Sequence, residues 1–272
     1  MGSQISKAKQ GDIKAFHNIF KELNDSLKSY IYRLVTDRND MNDIVQETYV
    51  KAFDKISTLK DDSSFKSWIF TIATRISLDF LKKKQRWQSN ILDDAKNIAA
   101  QNKDIRDYLK NISLESRFDL KEHIDFCFTC ISKTLPIEQQ VSLLLKDVYE
   151  FKVKEIAKIL NKGEAAVKHY VRLSRKSMTE IFEHRCALVN KKGMCHQCSE
   201  LNNWLNPKQD SQKQIVQLEF NQQKQNKNKE EFFKLREYLI KEVNPLNTNG
   251  ADIREAFLQL HRLAAGEIKN IL

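Results

Sequence analysis

Cys186, Cys195 and Cys198 stand as C-x8-C-x2-C, with His184 and His196 beside them. Three thiolates and one imidazole make a tetrahedral zinc site, and His184 is the easier fourth ligand because His196 adjoins Cys195 and would have to turn sharply. Gly193 supplies the flexible backbone that such a knuckle needs. Reduced or switchable thiols fit the same spacing, and so do cysteines with no chemistry at all, so three readings stand. A second set, His123-x3-Cys127-x2-Cys130, projects from one helix face. There the preferred reading is packing of Phe126, Cys127 and Cys130 in a core, as small hydrophobes. The five cysteines are an odd number in clusters, which does not look like a secreted disulfide framework.

A different chemistry is offered by Lys168, His169, Arg172, Arg175 and Lys176. They recur on one side of a helical stretch whose other side is Val167, Val171, Ser174, Met178 and Ile181. A cationic helix face of this kind contacts phosphates and base edges together. The bland alternative is a solvated surface helix. What precedes it argues for DNA: Val153, Ile156, Ala157 and Leu160 form a short stripe, then Asn161-Lys162-Gly163 turns the chain, the spacing of a helix-turn-helix. Lys and Arg number 46 against 36 Asp and Glu, a net charge of +10 that suits a polyanionic partner. No Gly-rich phosphate loop, triad order or paired carboxylates stand out, so no enzyme is expected.

Such side chains need rigid elements to aim them. With 6 Gly and 3 Pro in 272 residues, long helices are expected rather than a turn-rich β fold. A first helix, capped by Asp12, carries Phe16, Ile19, Phe20, Leu23, Leu27, Ile31 and Leu34 in register. A polar turn (36–40) leads to a helix from about Met41 to Phe53, with Met41, Ile44, Val45, Thr48 and Ala52 inward. A loop (55–64) ends in a cap at Ser64. The helix from Phe65 brings Trp68, Ile69, Ile72, Ile76 and Phe80 to a core, and closes in a basic run suited to a helix C-terminus. Residues 87–118 are weakly periodic and read as a linker with one short helix. Leu120 begins a second helical block, in which Ile137, Val141, Leu144, Leu145 and Val148 share a stripe. Residues 211–230 are rich in Gln, Asn and Lys, a polar linker composition. Amphipathic helices follow near 230–242 and 251–271, the latter with Ile253, Phe257, Leu260, Ala264 and Ile268. The N-terminus lacks the apolar core of a signal peptide, and no apolar run reaches the roughly 20 residues of a membrane span.

Taken together, these stretches resemble a family. DMNDIVQETYVKAF (40–53) resembles region 2.2 of the extracytoplasmic-function (ECF) group within the sigma-70 family of RNA polymerase sigma factors. SFKSWIFTIATRISLDFLKKKQR (64–86) looks like regions 2.3 and 2.4. LPIEQQVSLLLKDVYEFKVKEIAKILNKGEAAVKHYVRLSRKSM (135–178) is similar to region 4, and GDIKAFHNIF (11–20) matches the usual start. The resemblance implies that Asp43, Gln46 and Glu47 dock on a coiled coil of the polymerase largest subunit. It places capture of a flipped-out minus-ten base at 54–68. Phe65 and Trp68 there are more often core, so Thr58, Leu59 and Lys60 are favoured as pocket formers. Lys82, Lys83, Lys84 and Arg86 would grip duplex phosphates just upstream. Members often carry Asn four residues before the Asp of this helix; Arg75 stands there before Asp79, so the preferred minus-ten base is open. At the minus-thirty-five element Glu164, Ala165, Lys168, His169 and Arg172 would enter the major groove, while Arg175 and Lys176 hold phosphate.

The expected fold is all-α: two small helical domains, a region 2 bundle and a region 4 helix-turn-helix, joined by a linker and followed by a C-terminal helical extension. The expected bounds are 1–86 for region 2, 87–118 for the linker, 119–183 for region 4, 184–210 for the Cys/His segment and 211–272 for the extension. The resemblance also implies core RNA polymerase and promoter DNA as partners, with an anti-sigma factor as a further one. The missing signal peptide and membrane span, with clustered cysteines, make the cytoplasm the expected compartment. No membrane insertion, small-molecule substrate or covalent chemistry is expected, and the Cys/His spacing leaves zinc the one cofactor in view. The extension is read as a regulatory or metal-sensing appendage or as a protein-binding surface. Two rivals remain: an operator-binding helix-turn-helix regulator, which leaves 40–53 and 64–86 unexplained, and an enzyme with a metal or thiol site.

Overall fold

The computed structural model describes residues 2–84, 87–88, 90–115, 120–185 and 229–271. Among them there are helices and no strand. In chain order these are α1 (Gly2–Lys9), α2 (Ile13–Lys21), α3 (Asn24–Val35), α4 (Arg38–Lys55), α5 (Phe65–Leu81), α6 (Ile91–Gln101), α7 (Lys103–Glu115), α8 (Leu120–Ser132), α9 (Ile137–Leu143), α10 (Val153–Leu160), α11 (Glu164–Arg185), α12 (Lys229–Lys241) and α13 (Ala251–Ala264). Tight 3-10 turns cover Ile56–Thr58 and Asp62–Ser64, and a π turn covers Leu144–Val148. The chain divides into two compact units, Met1–Lys84 with Val141–Val171, and Gln85–Gln140 with Arg172–Leu272.

In the first unit Asp12 caps α2 as its type predicts, its carboxylate accepting from the N–H groups of Lys14 and Ala15 at 2.9 and 3.0 Å. The single long helix expected from Phe16 to Leu34 is two. At Leu23 the backbone N–H turns back to the Phe20 carbonyl, and Leu27 N–H then starts a new ladder on the Leu23 carbonyl. The apolar stripe runs through this break unaltered, because Leu23 stays buried, so periodicity alone does not reveal it. Thr36, left-handed at φ 60°, ends α3, and Asp37 caps α4 by accepting from Asp40 N–H at 2.7 Å. Ser64 stands at the N-cap of α5 but makes no capping bond; its hydroxyl donates to the Asp61 carbonyl instead.

Phe16 lies at the centre, 5.0 Å from Tyr49 and 5.3 Å from Phe53, ring to ring. The turn before α10 closes the other side. Phe151 packs on Phe70 with tilted rings 4.8 Å apart, and Tyr149 meets Tyr30 edge-on at 5.3 Å. The Tyr149 hydroxyl lies 2.6 Å from both Ser29 Oγ and the donating Nη1 of buried Arg33. This buried polar set ties residues of α3 to the turn more than 110 positions further on.

The second unit holds α6, α7, α8, α12 and α13, and it folds where a linker with one short helix is expected. α13 packs on α6 and α7, and α12 on α8. Trp87, 2% exposed, stacks on His261 with ring centroids 5.5 Å apart, and its indole N–H donates to Glu267 at 2.7 Å. The Lys133 ammonium sits 4.9 Å above the same indole. Phe126 meets the His261 ring edge-on at 5.6 Å. Arg254 and Asp125, each 1% exposed, face one another at 3.0 Å, an ion pair whose contacting nitrogen is not aligned for a hydrogen bond. Arg254 also donates to the Glu122 carbonyl, while the Glu122 carboxylate accepts from Gly250 N–H, both at 2.9 Å.

His261 is fully buried, which disfavours its charged form and pushes its pKa down to about 4, a hydrogen bond to the Phe257 carbonyl opposing weakly. The unfolded chain therefore binds a proton below about pH 6.5 that the folded unit does not take until about pH 4. Stability is complete above that window and falls with pH through it, by on the order of 3 kcal/mol. Thermal unfolding followed by circular dichroism between pH 7.5 and 5 should show a fall in Tm that His261→Leu reduces.

Candidate nucleic-acid interface

The helix-turn-helix is built by local chemistry. The Glu155 carboxylate accepts from Lys152 N–H at 2.8 Å and so secures the start of α10. Asn161, left-handed at φ 52°, ends it, and Lys162 N–H folds back to the Ala157 carbonyl at 2.9 Å. The residue bearing the left-handed turn is thus Asn161, whereas Gly163 is not left-handed and has nothing within 4 Å of where a Cβ would lie. Val167, Val171, Ser174 and Met178 are buried along α11. Glu164, Ala165, Lys168, His169, Arg172, Arg175 and Lys176 are all exposed on it, so the predicted reading face is presented as one cationic stripe. Lys176 makes only a loose pair with Glu180, at 3.9 Å.

On α4, Met41, Ile44, Val45, Thr48 and Ala52 are buried as expected, and Asp43, Gln46 and Glu47 are exposed together. Val50, 53% exposed, extends their row by one turn. Val50 is missing from the expected row, although its spacing from Asp43, Gln46 and Glu47, at i+7, i+4 and i+3, carries the signal. Beside this row a groove of about 330 Å³ runs between α4 and α5, lined by Asp40, Asp43, Glu47, Asp79 and Phe80 among others. An exposed apolar residue flanked by carboxylates and an amide is a docking surface in composition, with an anchor and a polar rim.

The loop between α4 and α5 carries the third set. Thr58 and Lys60 are exposed, but Leu59 is only 4% exposed, so it supports the loop from beneath and does not face a ligand. Ile56 and Phe65, before and after it in the chain, are buried as well. Phe65 is buried and Trp68 half-buried, their rings 6.3 Å apart, which leaves Trp68 as the aromatic open to a stacked partner. Arg75, Lys82 and Lys83 are exposed along and just beyond α5; Lys84 lies 5.1 Å over the Phe80 ring. The Lys82 ammonium, at 2.7 Å, holds the Asp79 carboxyl below its usual range. Arg86 lies outside the described residues.

Cys186, Cys195 and Cys198 lie outside the described residues, as do the side chains of His184 and His123. Cys130 is buried and Cys127 half-buried. Among the described residues no group of three or more His, Cys, Asp or Glu is placed to hold a metal, and no helix is long and apolar enough to cross a membrane.

Comparison with known proteins adds an independent line. Residues 19–87 match the family model described as Sigma-70 region 2, and residues 126–178 match Sigma-70, region 4. The chain is 24% identical over 157 residues to the ECF RNA polymerase sigma-E factor of Haemophilus influenzae, spanning 58% of this chain and 82% of that protein. It is 26% identical over 187 residues to the proteins of the same name from Salmonella typhimurium and Escherichia coli, spanning 69% of this chain and 91% of theirs. Among solved structures it is similar to CnrH in complex with the cytosolic domain of CnrY, at a TM-score of 0.48 and 16% identity over 66% of this chain and 95% of that one. It is also similar to the sigma factor RpoE in complex with the anti-sigma factor NepR from Bartonella quintana, at 0.44 and 19% over 62% and 96%.

Proposed function

We infer that this chain is a sigma factor of the sigma-70 family, of the ECF group, which binds core RNA polymerase and directs promoter recognition and DNA melting. The observation that carries this is the pairing, in one chain and in the family's order, of an exposed acidic and amide row on α4 with an exposed cationic row on α11. An operator-binding regulator would need the second alone.

Each surface has a distinct task. The α4 row of Asp43, Gln46, Glu47 and Val50 docks on the polymerase, its charges fixing register and Val50 giving apolar contact. The cationic face of α11 enters the major groove at the minus-thirty-five element, where side chains near the helix start read bases and Arg175 and Lys176 hold phosphate. The 56–64 loop and Trp68 receive a base displaced from the minus-ten element, which recovers about 1–3 kcal/mol of lost stacking. No bond is made or broken, so the work is binding energy spent on distorting DNA.

The first unit adds a requirement. The two promoter elements are about 25 base pairs apart by their names, roughly 85 Å at 3.4 Å per pair. Within that unit α10 packs directly on α5. Promoter engagement on both elements therefore separates α10 from α5, and the Tyr149–Arg33–Ser29 set is what must part.

The experiment is run-off transcription from a promoter library with core polymerase. The whole chain should give defined transcripts, and Asp43→Lys with Glu47→Lys should reduce co-purification with core polymerase by about tenfold or more, as expected for reversed charges at a complementary interface. A wild-type chain that neither co-purifies with core polymerase nor yields a transcript overturns the assignment.

A further inference from the structure

Helix α1 precedes both stretches that match the family models. It lays Ile5 and Ala8, 1% and 0% exposed, against α2 and the Ile56–Thr58 turn. Gly11, at φ 92°, then reverses the chain into the Asp12 cap, a conformation that an L side chain resists. This fixed exit leaves Lys9 at the last position of α1, with its ammonium 2.7 Å from Asp62 Oδ1. Asp62 opens the short turn that closes the 56–64 loop, the loop to which the reading above assigns the displaced base.

The charges of that loop are unsuited to the task. Lys60 is its one cation, whereas Asp61 and Asp62 are adjacent carboxylates. Asp61 is held ionised: it accepts from the Ser63 hydroxyl at 2.8 Å and the Ser63 N–H at 3.0 Å, which pull its pKa below the usual range, with Lys158 and Lys9 adding favourable charge. The loop therefore carries a net negative charge where the phosphates of a displaced strand arrive. Lys9 offsets that charge from outside the loop and ties the Asp62 turn to the rigid α1–α2 corner. The pair is partly exposed, at 28% and 39%, so its part in global stability is small and its effect is local.

We propose that Lys9 is a positioning residue for promoter melting: acting through Asp62, it fixes the minus-ten loop and cancels the loop's excess negative charge. The proposal rests on the sigma-factor reading, and its test separates the two. The template is the strongest one selected by the wild-type chain with core polymerase, carrying 2-aminopurine in the non-template strand of the minus-ten element, in duplex and premelted forms. Lys9→Glu should leave core association and far-ultraviolet circular dichroism as in wild type, yet slow opening of the duplex about fivefold, with the defect growing at low salt, where opposed charges are screened least. Lys9→Arg should open at the wild-type rate. Lys9→Asp combined with Asp62→Lys, which restores the pair, should return to within about twofold of wild type, as a charge-pair cycle requires. On the premelted template all variants should perform alike. Opening by Lys9→Glu at the wild-type rate, or no recovery in the exchanged pair, overturns the proposal. A wild-type chain that opens no template overturns the sigma-factor reading instead, and the proposal with it.

Discussion

Replacing Lys168 and Arg172 together by alanine is expected to weaken binding to the minus-thirty-five duplex by about 2–4 kcal/mol, roughly 30- to 1,000-fold. Both side chains are exposed on α11, one turn apart, opposite the buried Val167 and Val171. They can therefore be truncated without opening the core, and the cost is one of recognition rather than folding. The loss should differ in kind from that of Arg175→Ala with Lys176→Ala. Those residues lie further along the helix, where a phosphate contact is sequence-independent. Each such contact removed should lower the slope of log K against log salt by about 0.9, weakening all duplexes alike. Fluorescence anisotropy on the selected duplex and a scrambled one, each at several salt concentrations, separates the two patterns. If the Lys168 and Arg172 variant lost equal affinity for both duplexes, α11 would be a phosphate-binding helix and promoter choice would reside elsewhere.

The legible parts of this molecule are those whose partners lie close in sequence or whose geometry repeats. The stripe Met41, Ile44, Val45, Thr48 and Ala52 is a local pattern that burial reproduces residue for residue, and it determines which face of α4 is left for Asp43, Gln46 and Glu47. The recognition face of α11 follows in the same way. The fold of 87–115 was hidden for the opposite reason. The apolar residues of α6 and α7, among them Ile91, Ala95, Ile105 and Leu109, find partners on α13, some 150 positions further along, so no local window carries the signal. Trp87 shows the same thing in one residue: its hydrogen-bond partner is Glu267, 180 positions away. Leu59 was misplaced because a loop has no periodicity from which to infer an inward side. Lys9 was passed over because an ion pair spanning 53 residues leaves no trace in spacing.

Asp125→Ala is expected to destabilise the second unit by about 3–5 kcal/mol, because it leaves the Arg254 guanidinium charged, buried and deprived of its counter-ion. Arg254 is 1% exposed, so no small shift of its side chain brings it to water. With an m-value of about 2 kcal/mol/M, the urea midpoint should fall by roughly 2 M. Arg254→Met with Asp125→Leu tests the cause. Removing both charges abolishes the uncompensated one, so the double variant should regain most of the loss. Recovery should stop short of complete, since the Glu122 carbonyl loses the donor it now has in Arg254 at 2.9 Å. A double variant no better than Asp125→Ala would instead make packing volume the decisive quantity. The pair joins α8 to α13, so the outcome bears on what lies beyond the helix-turn-helix. A chain ending near residue 183 would leave Phe126 without Phe257 and His261, and Trp87 without His261 and Glu267. Residues 250–267 are therefore structural partners of the stretch from Trp87 to Phe126, which joins the two family-matched regions, and a transcription defect in a truncated chain must be measured against this loss of folding before any regulatory role is assigned to the extension.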